Sequence, residues 1–278
     1  MSTVTLSTDV SAPPSAGVPR VQPREAGFVR DVVAIAGRAL RSLPRELEAI
    51  IPPVFIAVFF FVVNIATLQK LTEQNIAGFD FKAFMMATAV LLGVTGVSRA
   101  PAVVLDVQNG YFDRLLLTPV RRLAILIGHM LADVAVACAL AVPVIVIGLI
   151  LGVRFQAGPL GILAFMLLAA LWSLAFAGFG YAIALKTGNP AAVNTSFLLF
   201  FPFLFLTSSY VPRAQLNGWL DRVAAWNPVT YLLEGLRSVT MQGWEWADLA
   251  RAVLAVALVA VVSMSLCFGA LRGRLRQA

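Results

Sequence analysis

Three polar residues stand in or beside otherwise apolar runs of this sequence: Arg99, His129 and Asp133. His129 and Asp133 are four positions apart, so a helix presents them on one face. Inside a bilayer a carboxylate costs about 2.5–3.5 kcal/mol on insertion scales, and therefore needs a partner or a polar path. An acid and an imidazole at this spacing suit proton relay, or contact with a polar part of a cargo. They equally suit a structural contact, satisfied by each other or by Arg99 at similar depth. With one acid and no second buried carboxylate, the structural contact is favoured, and the relay stays open.

Other chemistry finds little purchase. There is one histidine, and no His/Cys/Asp/Glu cluster has the spacing of metal ligands. No G-x-S-x-G elbow offers a nucleophile. A G-x4-G-K-[ST] phosphate loop is missing, because the one lysine followed by threonine, Lys186, comes after Leu185. Cys138 and Cys267 lie inside apolar runs and read as small core hydrophobes. No catalytic residue, no metal and no resident cofactor is expected.

Two polar stretches have more internal order than connectors need. "DVQNGYFDRLLLTPVRR", residues 106–122, has a turn at Asn109-Gly110, a short amphipathic piece, a stop at Thr118-Pro119 and two arginines. "WNPVTYLLEGLRSVTMQGW", residues 226–244, opens with an N-cap followed by proline, Asn227-Pro228. Val229, Leu232, Leu233, Leu236 and Val239 then recur at helical spacing, and Trp219, Trp226, Trp244 and Trp246 flank them. Such aromatic flanks mark a membrane–water interface. This predicts a short helix dipping into the outer leaflet rather than a plain surface helix.

The elements that hold these residues follow from composition. Of 278 residues, 60% are hydrophobic and 13% charged, about half the ~25% charged share of soluble domains. With long apolar runs this indicates an all-α integral membrane protein. Six runs are long enough to span, at about Ile50–Leu68, Ala83–Leu105, Leu123–Leu151, Pro159–Leu185, Ala192–Val211 and Leu249–Leu271. Ten-residue alternating segments, as in a membrane β-barrel, do not recur. With the N-terminus inside, seven of the 21 lysines and arginines fall outside (Lys70, Lys82, Arg154, Arg213, Arg222, Arg237 and Arg251), leaving 21 − 7 = 14 inside. That bias predicts a cytoplasmic location for both termini and for the 106–122 loop. The net charge of +7 is then a membrane-surface charge, and no interleaved basic and aromatic face suggests nucleic acid.

Residues 1–27, rich in Ser, Thr, Pro and Ala, predict a disordered tail with no signal-peptide pattern. In "FVRDVVAIAGRALRSLPREL" the residues Arg30, Arg38, Arg41 and Arg45 fall within an arc of about 80°. Val29, Val32, Ala36, Leu40 and Leu43 lie opposite. Such a helix lies in the inner interface with its arginines toward anionic headgroups, or packs on a soluble partner; both can hold together. In the fifth run, "NTSFLLFFPFLFLTSSY" places phenylalanine faces between hydroxyls, suited to apolar cargo with a polar head or simply to lipid.

Taken together, residues 28–275 resemble an ABC-2 type transporter permease, in the style of the daunorubicin-resistance drug permeases. Asp106, Gly110, Asp113, Leu115, Leu116, Thr118 and Pro119, with Arg114 among them, match the family's inner-loop pattern. Gln108 stands where the family often has a second acid. Asn227, Pro228, Tyr231, Glu234 and Arg237 match its stretch before the last span. The resemblance implies that the inner loop is a coupling helix seated in a groove of a cytoplasmic ATPase, and that the 28–45 helix touches that ATPase too. It implies two permeases, identical or similar, with two ATPase subunits that carry ATP and Mg. It also implies a pathway lined chiefly by the second and fifth spans, and export of hydrophobic or amphipathic drug-like or lipid-like cargo across a bacterial cytoplasmic membrane.

The expected architecture is therefore six transmembrane helices, an N-terminal interfacial helix, a cytoplasmic coupling helix and an outer re-entrant helix, with residues 28–278 as the transmembrane domain. An ion-coupled secondary transporter is the alternative; it wants buried acids at half-helix ends near the midplane, and Asp133 alone offers one. A membrane-embedded enzyme would need a nucleophile–base pair, and the sequence displays none.

Overall fold

In a bilayer every backbone polar group needs a partner within the protein, which long apolar runs achieve as helices. The computed structural model describes residues 27–42, 47–76, 78–95, 98–109 and 122–275, and every regular element among them is helical. In chain order these are α1 (Phe28–Ser42), α2 (Leu47–Asn75), α3 (Phe81–Thr95), α4 (Ala100–Gln108), α5 (Arg122–Ile150) and α6 (Gly158–Thr187). Then follow α7 (Pro190–Ser196), α8 (Phe200–Phe205), α9 (Trp219–Trp226), α10 (Pro228–Arg237) and α11 (Trp246–Leu275). The predicted tail, Arg45 and the loop residues 110–121 lie outside the described residues, apart from Gly27.

Among the described residues five helical stretches are long and apolar enough to cross a membrane: Ile50–Asn75, Phe81–Leu105 (α3 and α4 together), Ile127–Ile150, Gly158–Thr187 and Trp246–Gly273. They coincide with five of the six predicted spans. The remaining run, expected as one helix over Ala192–Val211, is interrupted. It is helical over Pro190–Phe205, with a tighter 3-10 turn at Phe197–Leu199, and non-helical over 206–211. Pro202 explains the tight turn, since it lacks an N–H and its ring crowds the carbonyl four residues earlier.

α3 is the centre of the bundle, with every residue except Lys82 buried. Lys82 donates from Nζ to the Leu151 carbonyl at 3.0 Å, placing a cation at the carbonyl end of α5. At the other end of α3, Ser173 Oγ donates to the Val94 carbonyl at 3.0 Å, and Trp172 Nε1 to Thr95 Oγ1 at 2.9 Å. These contacts fix α6 against the last turn of α3. The first crossing helix contrasts sharply: 17% of its membrane window is buried, against 75% for the second. The outer face of α2 is thus left to lipid or to another chain.

Small residues let the helices close up. A methyl group on Gly178 would meet Ser263 Oγ at 2.6 Å, and one on Gly235 would meet the Ala252 Cβ at 2.4 Å. The first contact sets α6 against α11, the most extensive helix pairing, and the second seats α10 on α11. α1 docks on the start of α5 at Gly128, where an added Cβ would strike Ile35 at 2.7 Å. Val32 and Ala36 are buried in that seam, while Val29 and Val33 remain exposed. The apolar side of α1 therefore divides between the bundle and its surroundings.

Candidate functional site: an interrupted helix, its clasp and two apolar grooves

Non-helical backbone among membrane-spanning helices leaves carbonyls that something must satisfy. After α8 that task falls to Asn227 and Arg237. Asn227 caps α10 by accepting the Val229 N–H on Oδ1 at 3.0 Å. Its Nδ2 donates to the carbonyls of Phe203 and Leu206, at 2.6 and 2.9 Å. Arg237, 6% exposed, donates to the Ser208 carbonyl at 2.7 Å, to Thr88 Oγ1 at 3.0 Å and to the Phe84 carbonyl at 3.3 Å. Its guanidinium carbon lies 3.4 Å from the centroid of the Phe84 ring, a desolvated cation–π contact. Thr88 and Ser209 complete the set, Thr88 Oγ1 donating to the Ser209 carbonyl at 3.1 Å and Ser209 Oγ to the Leu204 carbonyl. One arginine thus ties the interrupted segment to α3 and α10 together.

The rest of the second sequence motif sits around this clasp. Pro228 occupies the first turn of α10, and Tyr231 donates to the Ala225 carbonyl at 2.7 Å. Glu234 is half-buried, with Arg213 Nη1 at 3.9 Å; burial holds its carboxyl above the usual range, and Arg213 pulls the other way. Val229, Leu232, Leu233 and Leu236 are fully buried, so α10 is packed into the bundle rather than laid on its surface. Trp219, Trp226 and Trp246 are exposed around it.

The intramembrane trio forms a second polar centre. Asp133 is 1% exposed; its Oδ1 accepts the backbone N–H of Arg99 at 2.8 Å and its Oδ2 the Tyr181 hydroxyl at 2.6 Å. His129 and Arg99 are buried nearby, 2% and 6% exposed. The carboxylate thus joins α5 to α6 and to the residue that opens α4. Its hydroxyl partner, Tyr181, carries no mark of that role in the sequence. A lone tyrosine in the apolar run of the fourth span was the available signal, but nothing in spacing links positions 133 and 181.

Of the inner-loop residues, Asp106 falls in the last turn of α4. Gly110, Asp113, Arg114, Leu115, Leu116, Thr118 and Pro119 lie outside the described residues. The base of the loop is anchored by Gln108, whose Nε2 donates to the Gly188 carbonyl at 2.9 Å. Gly188, in the left-handed region at φ 60°, closes α6 by donating its N–H to the Ala184 carbonyl. On α1, Arg30, Arg38 and Arg41 are all exposed.

Apolar grooves open on the bundle between the described residues. One, of about 350 Å³, has Pro52, Pro53, Ile56 and Phe60 of α2 on one wall and Phe197, Phe201 and Phe205 on the other. Phe197, Phe201, Phe205 and Tyr210 follow one another at centroid distances of 5.2, 5.9 and 6.1 Å. Leu92 is the one α3 residue in this groove. In this groove the interrupted segment faces the first crossing helix, because the second is enclosed at the centre. The other groove, of about 430 Å³, runs between α5, α6 and α11 and is apolar throughout.

Among the described residues no group of three or more His, Cys, Asp or Glu could hold a metal ion. Comparison with known proteins supplies the remaining constraint. The family described as ABC-2 type transporter matches residues 30–241. A daunorubicin resistance ABC transporter permease protein of Streptomyces coeruleorubidus is 25% identical over 204 residues, 72% of this chain and 70% of the relative. A protein of Mycobacterium tuberculosis named "probable doxorubicin resistance ABC transporter permease protein" is 24% identical over 220 residues, 78% of this chain and 79% of the relative. The matched stretch runs from α1 to the turn after α10, so it contains the interrupted helix and both residues of its clasp.

Proposed function

This chain belongs to the ABC-2 type transporter family, and from that premise we propose that it is the permease subunit of an ATP-binding-cassette exporter moving hydrophobic or amphipathic compounds. The observation that carries this reading is the family match over residues 30–241, laid on five helices able to cross a bilayer. The chain is a multi-pass membrane protein, and in this reading both termini face the cytoplasm. The interrupted segment makes the sixth crossing. Its helical part, Pro190–Phe205, rises roughly 24 Å, and residues 206–211 add the remainder of a ~30 Å hydrocarbon core.

ATP and Mg belong to a separate cytoplasmic ATPase, present in two copies, and a second permease completes the pathway. This chain is not itself an enzyme. In this reading residues 110–119 couple the two parts, a task for which a slack connector would not serve because it would absorb the motion that nucleotide binding produces. Gln108, held to Gly188, gives that element a fixed base. Cargo lies along the phenylalanine wall of the α2 groove, where aromatic faces suit apolar or planar groups. The names of the two relatives, which cite daunorubicin and doxorubicin resistance, agree with drug-like cargo.

The test is transport in vesicles holding this chain and its partner ATPase, over a panel of drugs and lipids. Cargo movement that requires both chains and ATP is expected. Transport by this chain alone on an ion gradient would replace the reading with a secondary transporter. Coupling has its own variant, Asp113→Arg. On an exposed loop it should change stability by no more than about 0.5 kcal/mol, whereas at an interface with a basic surface charge reversal costs several kcal/mol. The variant should insert at wild-type level yet fail to co-purify with the ATPase, and normal co-purification would remove the loop from the interface.

A further inference from the structure

Buried apolar residues form two clusters. The larger takes in α3, and on α5, α6 and α11 it borders the smaller at Ala137, Phe176 and Val259. The smaller takes over on those helices at Met130, Ala177 and Cys267, and adds α4 and Val193 of α7. Between α3 and α4, Ser98 and Arg99 are non-helical, so a push along α4 meets a break before it reaches α3. α5 and α6 run unbroken through both clusters. Asp133 stands on the border, between Met130 and Ala137, and its partner Tyr181 belongs to the smaller cluster.

The bond from Arg99 to Asp133 is a cap supplied from another helix. Arg99 accepts the Val103 N–H on its carbonyl at 3.2 Å, which makes it the N-cap residue of α4. Its own N–H is taken by Asp133 at 2.8 Å, and that of Ala100 by Ser98 Oγ at 3.1 Å. A carboxylate there also suits the positive end of the helix dipole. α4 packs mainly along α6 and α7, and Asp133 reaches its head from α5. Apolar seams tolerate sliding, whereas a hydrogen bond weakens steeply once misaligned. α6 is tied in turn to the far side of the bundle. Trp172 and Ser173 hold the last turn of α3. Ala157, which caps α6, donates its N–H to the Val239 carbonyl at 3.1 Å, close in sequence to Arg237.

We propose that Asp133 and Tyr181 are positioning residues for coupling, an inference that rests on the exporter reading. They pin the head of α4 to α5 and α6, so load arriving at the Gln108 end of α4 passes into those two helices. α6 delivers it to α3 and to the clasp of the interrupted segment. Without the pin α4 slips along α6 and the load is lost. The pair acts through α4 and does not contact cargo.

The full chain in complex with its ATPase, in vesicles, tests this with ATP and vanadate as the probe. Spin labels are placed at Leu105 on α4 and Leu163 on α6, both exposed, in a chain with Cys138 and Cys267 replaced by alanine. Pulsed dipolar spectroscopy should show one distance in wild type, unchanged by nucleotide. In Asp133→Leu that distance should shift or broaden when nucleotide binds. Cargo moved per ATP, over the panel of drugs and lipids, should then fall about tenfold, an ordinary size for coupling between separate sites. Asp133→Asn keeps one oxygen for the Arg99 N–H and should restore both readings. Tyr181→Phe loses only a hydroxyl and should show the slip with a normal thermal unfolding curve, which decides the matter if Asp133→Leu does not fold. Distances indifferent to nucleotide in both variants, from complexes that hydrolyse ATP, would overturn the pin and leave the exporter reading standing. Transport and hydrolysis falling together in proportion, with no slip, would do the same, since the pair would then be a passive contact. A wild-type complex in which ATP drives no transport would remove the exporter reading and this inference with it.

Discussion

Asp133 accepts a backbone amide and a phenol; an asparagine keeps one oxygen for the Arg99 N–H, while its amide nitrogen can only donate to the Tyr181 oxygen. Asp133→Asn should therefore cost about 1 kcal/mol, whereas Asp133→Leu leaves both the Arg99 N–H and the Tyr181 hydroxyl without an acceptor and should cost about 2 kcal/mol or more. Thermal unfolding in detergent measures both. Transport by Asp133→Asn at wild-type rate is expected of a structural carboxylate, while a folded but inactive variant would assign it a proton. The sequence displayed the acid and its improbable setting, but not its partners. Tyr181 lies 48 positions away, and contacts between helices at that separation leave no periodic mark in the chain. The same holds for Arg237, whose partners Ser208 and Thr88 are 29 and 149 positions distant.

Hydropathy found the five long helices because an apolar run has one solution in lipid. It overreached at the interrupted segment because it counts side chains and is blind to the backbone. The carbonyls of Phe203, Leu206 and Ser208 are served from Asn227 and Arg237, so the helix could stop early without leaving them bare. The motif around Asn227-Pro228 predicts the α10 helix from capping chemistry and the apolar spacing that follows it; its depth in the bundle depends on neighbours no local pattern specifies. Removing the clasp tests the element as a unit. Arg237→Met leaves several buried acceptors without donors and should cost about 3 kcal/mol or more, seen as a lowered unfolding temperature in detergent. Arg237→Lys should recover part of that, since an ammonium supplies charge without the planar fork.

Orientation and assembly belong to the whole molecule. The two-to-one bias of basic residues predicts opposite sides for Gly110 and Asn217. Single cysteines there, in a chain with Cys138 and Cys267 replaced by alanine, should react with a membrane-impermeant reagent from opposite faces. Reaction of both from one face would leave an odd number of crossings between them unworkable. The exposed face of α2 bears on assembly as well. Phe55 and Phe59 stack on it, 5.8 Å apart, with 65% and 57% of their surface open. In the proposed reading a second permease would close over the aromatic groove beside it.

The clasp also sets an order of events during synthesis. The carbonyls of residues 203–209 leave the ribosome before the side chains that satisfy them, Asn227 and Arg237. Until those emerge, the segment has no way to rest in hydrocarbon in its final shape. It stays at the aqueous surface until then, and takes its interrupted form in the bilayer only after α10 has been made. Nascent chains arrested with residue 226 just outside the translocon should therefore leave a glycosylation or protease tag near Tyr210 accessible. Chains arrested beyond residue 243 should protect it.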